Sequence, residues 1–160
     1  MKLRAICLWQ PWATAIELEL KPYETRHWST DYRGPIVICS AKKPFRHQDY
    51  EPQFYQEVCR RLSKAGCPHY ALRYGKAHCI ATLTDCIPTE QIRGRISQDH
   101  AFWGDFTYGR YAFKLENIQR LPVGINVVGR QKFFSVEIPD NYLGPYYASQ
   151  FEQGLFPVTA

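Results

Sequence analysis

Residues 21–28 read KPYETRHW. Lys21, Glu24, Arg26 and His27 fall within seven positions, and Trp28 follows directly. Pro22 ends any preceding helix and biases the chain before it toward extended geometry, so YETRHW is predicted as a strand. Side chains alternate along a strand. Glu24, Arg26 and Trp28 then share one side, and Tyr23, Thr25 and His27 share the other. If the first side faces a cleft, it offers a carboxylate that can accept from a base amine and a guanidinium that can grip a phosphate or carbonyl in a fork. It also offers an indole for stacking. Lys21, at the helix-to-strand junction, is expected at the edge of the same cleft. The alternative is that Glu24 and Arg26 only pair with each other as a structural bridge.

The flanks read as short elements. LRAICL (3–8) is a strand, and Pro11 opens a helix through WATAIELEL in which Trp12 and Ile16 share a face. DYRG (31–34) turns into PIVICSAK, a β-branched buried strand. PQFYQEVCRRLSKA (52–65) is the clearest helix, with an apolar stripe of Phe54, Val58, Leu62 and Ala65 and Gly66 placed to close it. KAHCIATLTDCI and RYAFKLENI are further strands. TEQIRGRI is predicted as a short helix with Thr89 as N-cap, and GRQKFFSVEI as a turn into a last short strand. Strands are therefore expected at 3–8, 23–28, 35–41, 77–87 and 109–118, and the tail from about residue 139 is expected to be irregular. The pattern lacks the regular alternation of a parallel α/β sheet. It implies an α+β fold, a small mixed barrel of about five to six strands with helices packed outside, as a single domain over residues 1–160.

Composition sets outer bounds. The chain has 160 residues and a formal charge of +5, with 15% aromatics including 4 Trp and 11 Tyr. Such planar side chains fill a core or stack on something planar. Mild basicity is compatible with a phosphate-bearing partner. Neither a leader nor a membrane-spanning run is visible, so a cytoplasmic protein is expected. The six cysteines have no CxxC or zinc-site spacing and are expected to be reduced and mostly buried, with no metal and no cofactor. No Gly-rich phosphate loop and no Ser-His-Asp arrangement is readable. Lys42, with Lys43 and Arg46, sits in SAKKPFRH just after a strand, and Arg130 sits with Lys132 at a glycine-containing turn. Each is either a solvated loop or a phosphate-tracking rim. His27 is expected to be structural, and Asp85 either to face the cleft or to cap the helix near Thr89.

LWQPWATAIELELKPYETRHWSTDYRGPIVICSAKKP (8–44) resembles the ASCH family, a branch of the PUA-like superfamily. The family signature, Gly-x-Lys-x-x-Glu-x-Arg, aligns with Glu19, Lys21, Glu24 and Arg26, with Glu19 in place of the glycine. ATLTDC, WGD (103–105) and GRYAFKLENI extend the likeness to about Ile138. The resemblance implies a PUA-like barrel whose signature residues line a cleft for RNA or a nucleobase-containing ligand. Trp9, Trp12 and Trp28 become candidate platforms, and Gln10 a candidate reader of a base edge. Some family members resemble amidohydrolases acting on acylated cytidine through a lysine, a threonine nucleophile and a distant glutamate, and others are ribonucleases. Here Glu24 occupies the threonine's place, which removes the hydroxyl nucleophile. A Lys21/Glu24 pair activating water is the remaining catalytic option. If the backbone at position 19 stays helical, Glu19 is tolerable there.

Overall fold

The computed structural model describes residues 1–156. In chain order the elements are β1 (Lys2–Leu8), α1 (Trp12–Glu17), β2 (Tyr23–Arg26), β3 (Gly34–Ser40), α2 (Pro52–Lys64), β4 (Ala77–Pro88), α3 (Thr89–Ile92), α4 (Gln98–Ala101), β5 (Tyr111–Arg120), β6 (Phe133–Glu137) and α5 (Pro145–Glu152). The strands form one six-stranded sheet in the order β2-β5-β4-β3-β1-β6. Only β1 and β3 run parallel; every other pair is antiparallel. The fold is α+β with a mixed sheet, and each expected strand and the long helix is present.

The sheet is open. β2 and β6 are its edges, and among the described residues no ladder joins them, where the sequence predicts a small mixed barrel. Side chains bridge the gap instead. Trp28, just past the end of β2, packs edge-on against Phe133 of β6 at 5.1 Å and Phe113 of β5 at 5.0 Å between ring centroids. Four residues make β2 too short to continue pairing along that seam.

β3 is buried along its whole length because both faces are covered. Val37 and Cys39 point into one core with Leu3, Ala5, Ile80 and Tyr147, while Ile36 and Ile38 point into another with Ile6, Ile16, Leu83 and Phe113. This is the period of two expressed as two opposite cores. α2 lays Val58 and Leu62, with Phe54 alongside, onto a third cluster with Ala15 and Trp103.

Two helices end by the same device with different residues. After α2, Gly66 takes φ +92°, and Cys67 N–H bonds the Leu62 carbonyl at 3.0 Å. After α1, Glu19 takes φ +60°, with Glu19 N–H on the Ile16 carbonyl and Leu20 N–H on the Ala15 carbonyl, both at 2.9 Å. Both are Schellman closures, which need a left-handed residue. Position 19 thus keeps the glycine conformation without the glycine, rather than staying helical.

Three local expectations are corrected. The tail holds a 3-10 turn and α5, and is not irregular through 139–156. Tyr147 on α5 is fully buried, contacts the Thr82 hydroxyl at 3.0 Å and donates to the Asn117 carbonyl at 2.8 Å. Thr89 does not cap α3: its hydroxyl donates to the Thr107 carbonyl at 2.7 Å, and Pro88 holds the cap position. Asp85 neither caps nor faces the cleft; it accepts from Cys86 N–H at 2.8 Å and lies 3.6 Å from Arg33. All six cysteines are free thiols, Cys39 and Cys79 buried and the other four half-buried. Among the described residues no helix is long and apolar enough to cross a membrane.

Candidate functional site

The turn at Glu19 drives Lys21 inward. Its side chain is 2% exposed, donates to the Trp103 carbonyl at 2.6 Å and lies 3.2 Å from Glu24 Oε2. Glu24 Oε1 lies 2.8 Å from Arg26 Nε, although that N–H is not aligned on it, so this is an ion contact rather than a hydrogen bond. Arg26 Nη2 donates to the Cys7 carbonyl at 2.8 Å, tying β2 to the end of β1. Burial pushes the Lys21 ammonium below its ordinary pKa; Glu24 opposes this, while Arg26 and Arg110 add to it. Glu24 therefore bridges two cations, and the structural pairing foreseen in the sequence is present. Lys21 is the floor of the site, not its edge.

A second layer holds this one in place. Arg110, just before β5, donates from Nη2 to the Thr25 carbonyl at 3.1 Å, with Nε 3.4 Å from Asp105. Asp105 N–H donates to Thr25 Oγ1 at 3.0 Å, and its carboxylate accepts from both Thr107 N–H and the Thr107 hydroxyl. The Thr107 hydroxyl chiefly lowers the Asp105 pKa against partial burial, helped by Thr107 N–H and the Arg110 charge.

These residues lie along a cleft in three connected parts. The first, about 320 Å³, has aromatic walls of Trp12, Phe54, Phe102 and Trp103 over Lys21, Glu24, Thr25 and Asp105. The middle, about 290 Å³, shares Trp12, Glu24 and Thr25 with it and adds Trp9, Arg26, His27 and Arg110. The far part, about 530 Å³, shares Trp9 and Arg26 and adds Lys42, Arg130 and Gln131. The structure thus brings Trp9, Trp12, Lys21, Glu24, Arg26, Lys42 and Arg130 to one cleft.

Two candidates fall elsewhere. Gln10 is 1% exposed and spends its amide on Thr14 and the Arg73 carbonyl, so it has nothing left for a base edge. Trp28 lines none of the three parts of the cleft; its indole fills the seam between the sheet edges. His27, expected to be structural, is exposed and lines the cleft. Thr25, Trp103, Asp105 and Arg110 also line the cleft, beyond the candidates that the sequence offers. The signals were the WGD triplet and the arginine immediately before a strongly alternating strand.

Tertiary contact also assembles a Ser-His-Glu arrangement that no spacing reveals. Glu17 Oε2 lies 2.9 Å from His78 Nδ1, and His78 Nε2 lies 2.9 Å from Ser40 Oγ. Ser40 and His78 are fully buried, and the Ser40 hydroxyl donates to the Arg73 carbonyl at 2.9 Å. None of the three lines the cleft, and Glu17 is also buried. Without substrate access it is a brace, locking α1 onto β3 and β4 and so fixing where Lys21 starts.

No protein-family model matches the sequence, and no curated protein matches it. Among solved structures, ASCH from Zymomonas mobilis superposes with a TM-score of 0.50 at 14% identity, covering 94% of this chain and 93% of that one. Two single-substitution variants of the same protein superpose at 0.49, with 13% identity and coverage of 94% and 96%, and at 0.48, with 14% identity and coverage of 94% and 94%. At such identity the likeness concerns the path of the chain, and that path is shared nearly end to end. The chain has an ASCH-domain fold.

Proposed function

We propose that this protein binds RNA or a modified nucleoside in the Lys21–Glu24–Arg26 cleft. The observation that carries this reading is the first part of the cleft: four aromatic side chains wall an open pocket of about 320 Å³ above a fixed, polar floor. A nucleobase is the planar ligand such a site suits, because aromatic walls match its faces and polar groups its edges. Arg26 and Arg110 stand beside the pocket with guanidinium groups whose forked donors suit phosphate or carbonyl oxygens. The curled sheet bridged by Trp28 is read as a PUA-like barrel opened between β2 and β6. Six free thiols suit a reducing, cytoplasmic setting.

A hydrolytic role for Lys21 and Glu24 has less behind it. The lowered pKa of Lys21 favours it, as a lysine base needs one. Yet Lys21 is already committed to the Trp103 carbonyl and Glu24, and Glu24 has a cation at each oxygen. That arrangement positions the floor rather than freeing a base.

The test compares wild type with Arg26→Ala and Arg26→Lys, measuring affinity for a single-stranded RNA octamer and melting temperature. Arg26→Ala is expected to weaken binding by about 1–3 kcal/mol, the size of a lost charge-assisted contact. Arg26→Lys recovers part of it by keeping the charge without the fork. Unchanged affinity in a folded Arg26→Ala protein overturns the proposal.

A further inference from the structure

We propose that the Trp9–Lys42–Arg130 end of the cleft is a second subsite, holding the nucleotide next to the one whose base enters the aromatic pocket. The ligand is then a strand of at least two nucleotides, not a free nucleoside. This rests on the reading of the first pocket as a nucleobase site.

The polarity of the cleft is the first reason. Glu24 and Asp105 line the first part; the far part carries Arg26, Lys42 and Arg130 and no carboxylate. A ligand with a base at one end and phosphates toward the other matches that gradient. The far part is also the largest of the three, at about 530 Å³, so the cleft continues well beyond the aromatic pocket.

The state of its cations is the second. Arg26 is anchored by Cys7 and Glu24, but Lys42 and Arg130 make no ion pair or hydrogen bond among the described residues. Their donors are free for a phosphate. The backbone leading to Arg130 is close-packed on β1, because Gly129 beside it lies directly against Cys7. A Cβ at 129 would collide with the Cys7 sulfur, so a larger residue there would force Cys7 or the loop to shift.

Trp9 is the third. It is 53% exposed where the middle and far parts meet, which puts its indole within reach of a ligand running between them. Lys43 Nζ stands 3.5 Å from its ring centroid. The lysine holds the indole face in the meantime; a base stacking there displaces it toward a phosphate, exchanging one cation–π contact for stacking plus a charge pair.

The experiment measures binding of an eight-nucleotide fluorescein-labelled single-stranded RNA, the same sequence as DNA, the matching RNA duplex, and unlabelled adenosine, guanosine, cytidine and uridine as competitors. Proteins are wild type, Trp9→Ala and Lys42→Ala/Arg130→Ala. Single strands are expected to bind at least tenfold more tightly than any nucleoside or the duplex. Trp9→Ala should weaken strand binding about 5- to 150-fold, the range of one lost base–aromatic stack. The double variant should lower the magnitude of the log–log salt slope by about 1.4, for two phosphate contacts on a single strand. A preference of RNA over DNA identifies the 2′-hydroxyl as part of the recognition, and equal binding places it in stacking and phosphate contacts; both support the subsite. Nucleosides binding as tightly as the strand, or both variants behaving as wild type, overturns the subsite and leaves the pocket reading standing. Binding of neither strand nor nucleoside by wild type overturns both.

Discussion

Replacing Glu19 with glycine should stabilise the protein, which is the reverse of what most substitutions do. Glu19 sits at φ +60° to close α1, a conformation that costs a residue with a Cβ about 1–2 kcal/mol. Glycine removes that cost but surrenders about 0.5–1 kcal/mol through its freer unfolded chain. The difference is a gain of between zero and about 1.5 kcal/mol, and its centre at about 0.75 kcal/mol corresponds to about 1.5–3 °C in melting temperature for a chain of this length. The side chain contributes little to offset it. Glu19 is exposed and makes no ion pair among the described residues, although Arg60, Arg61 and Lys64 line the same pocket. Glu19→Ala isolates that weak attraction, since alanine loses the carboxylate and keeps the Cβ. Paired thermal and urea melts of wild type, Glu19→Gly and Glu19→Ala read the effect. Glycine no more stable than alanine would refute the reasoning, because the Schellman closure then carries no left-handed cost.

The Glu17 brace predicts an acid limb in stability. Burial alone would raise this carboxyl, but the hydrogen bond and charge of His78 and the charge of Arg73 outweigh it, and the net pKa is lowered. A depressed folded pKa means the contribution is complete above the ordinary carboxylate range and is lost as pH falls through the folded value. Melting temperature from pH 7 to 3 should therefore fall less steeply in Glu17→Gln; identical acid limbs would remove the brace from the account. On α5, Tyr147→Phe loses the Thr82 and Asn117 contacts and should cost about 1–3 kcal/mol in urea denaturation. A cost near zero would mean the tail helix is not docked through that hydroxyl.

Local pattern alone determined the six strands, the first three helices and part of the site, but not α4 or α5. Glu24 and Arg26 stand together because residues two apart on a strand share a side, a fact that needs no neighbours. The apolar stripe of α2 and its glycine stop are equally local. Alternation failed for Trp28 because β2 ends at Arg26, and beyond the last paired residue the indole follows the nearest apolar gap, between two sheet edges. The resemblance that makes Gln10 a candidate says nothing of its amide's partners, which come from residues 14 and 73 and are brought near only by the packing of α1. Whether the sheet closes depends on whether β2 and β6 meet, and strand pairing between edges far apart in sequence leaves no local trace. The floor position of Lys21, the Glu17–His78–Ser40 brace and the path joining Trp12 to Arg130 were likewise decided by tertiary structure. Each is a meeting of side chains from different elements, and periodicity describes one element at a time.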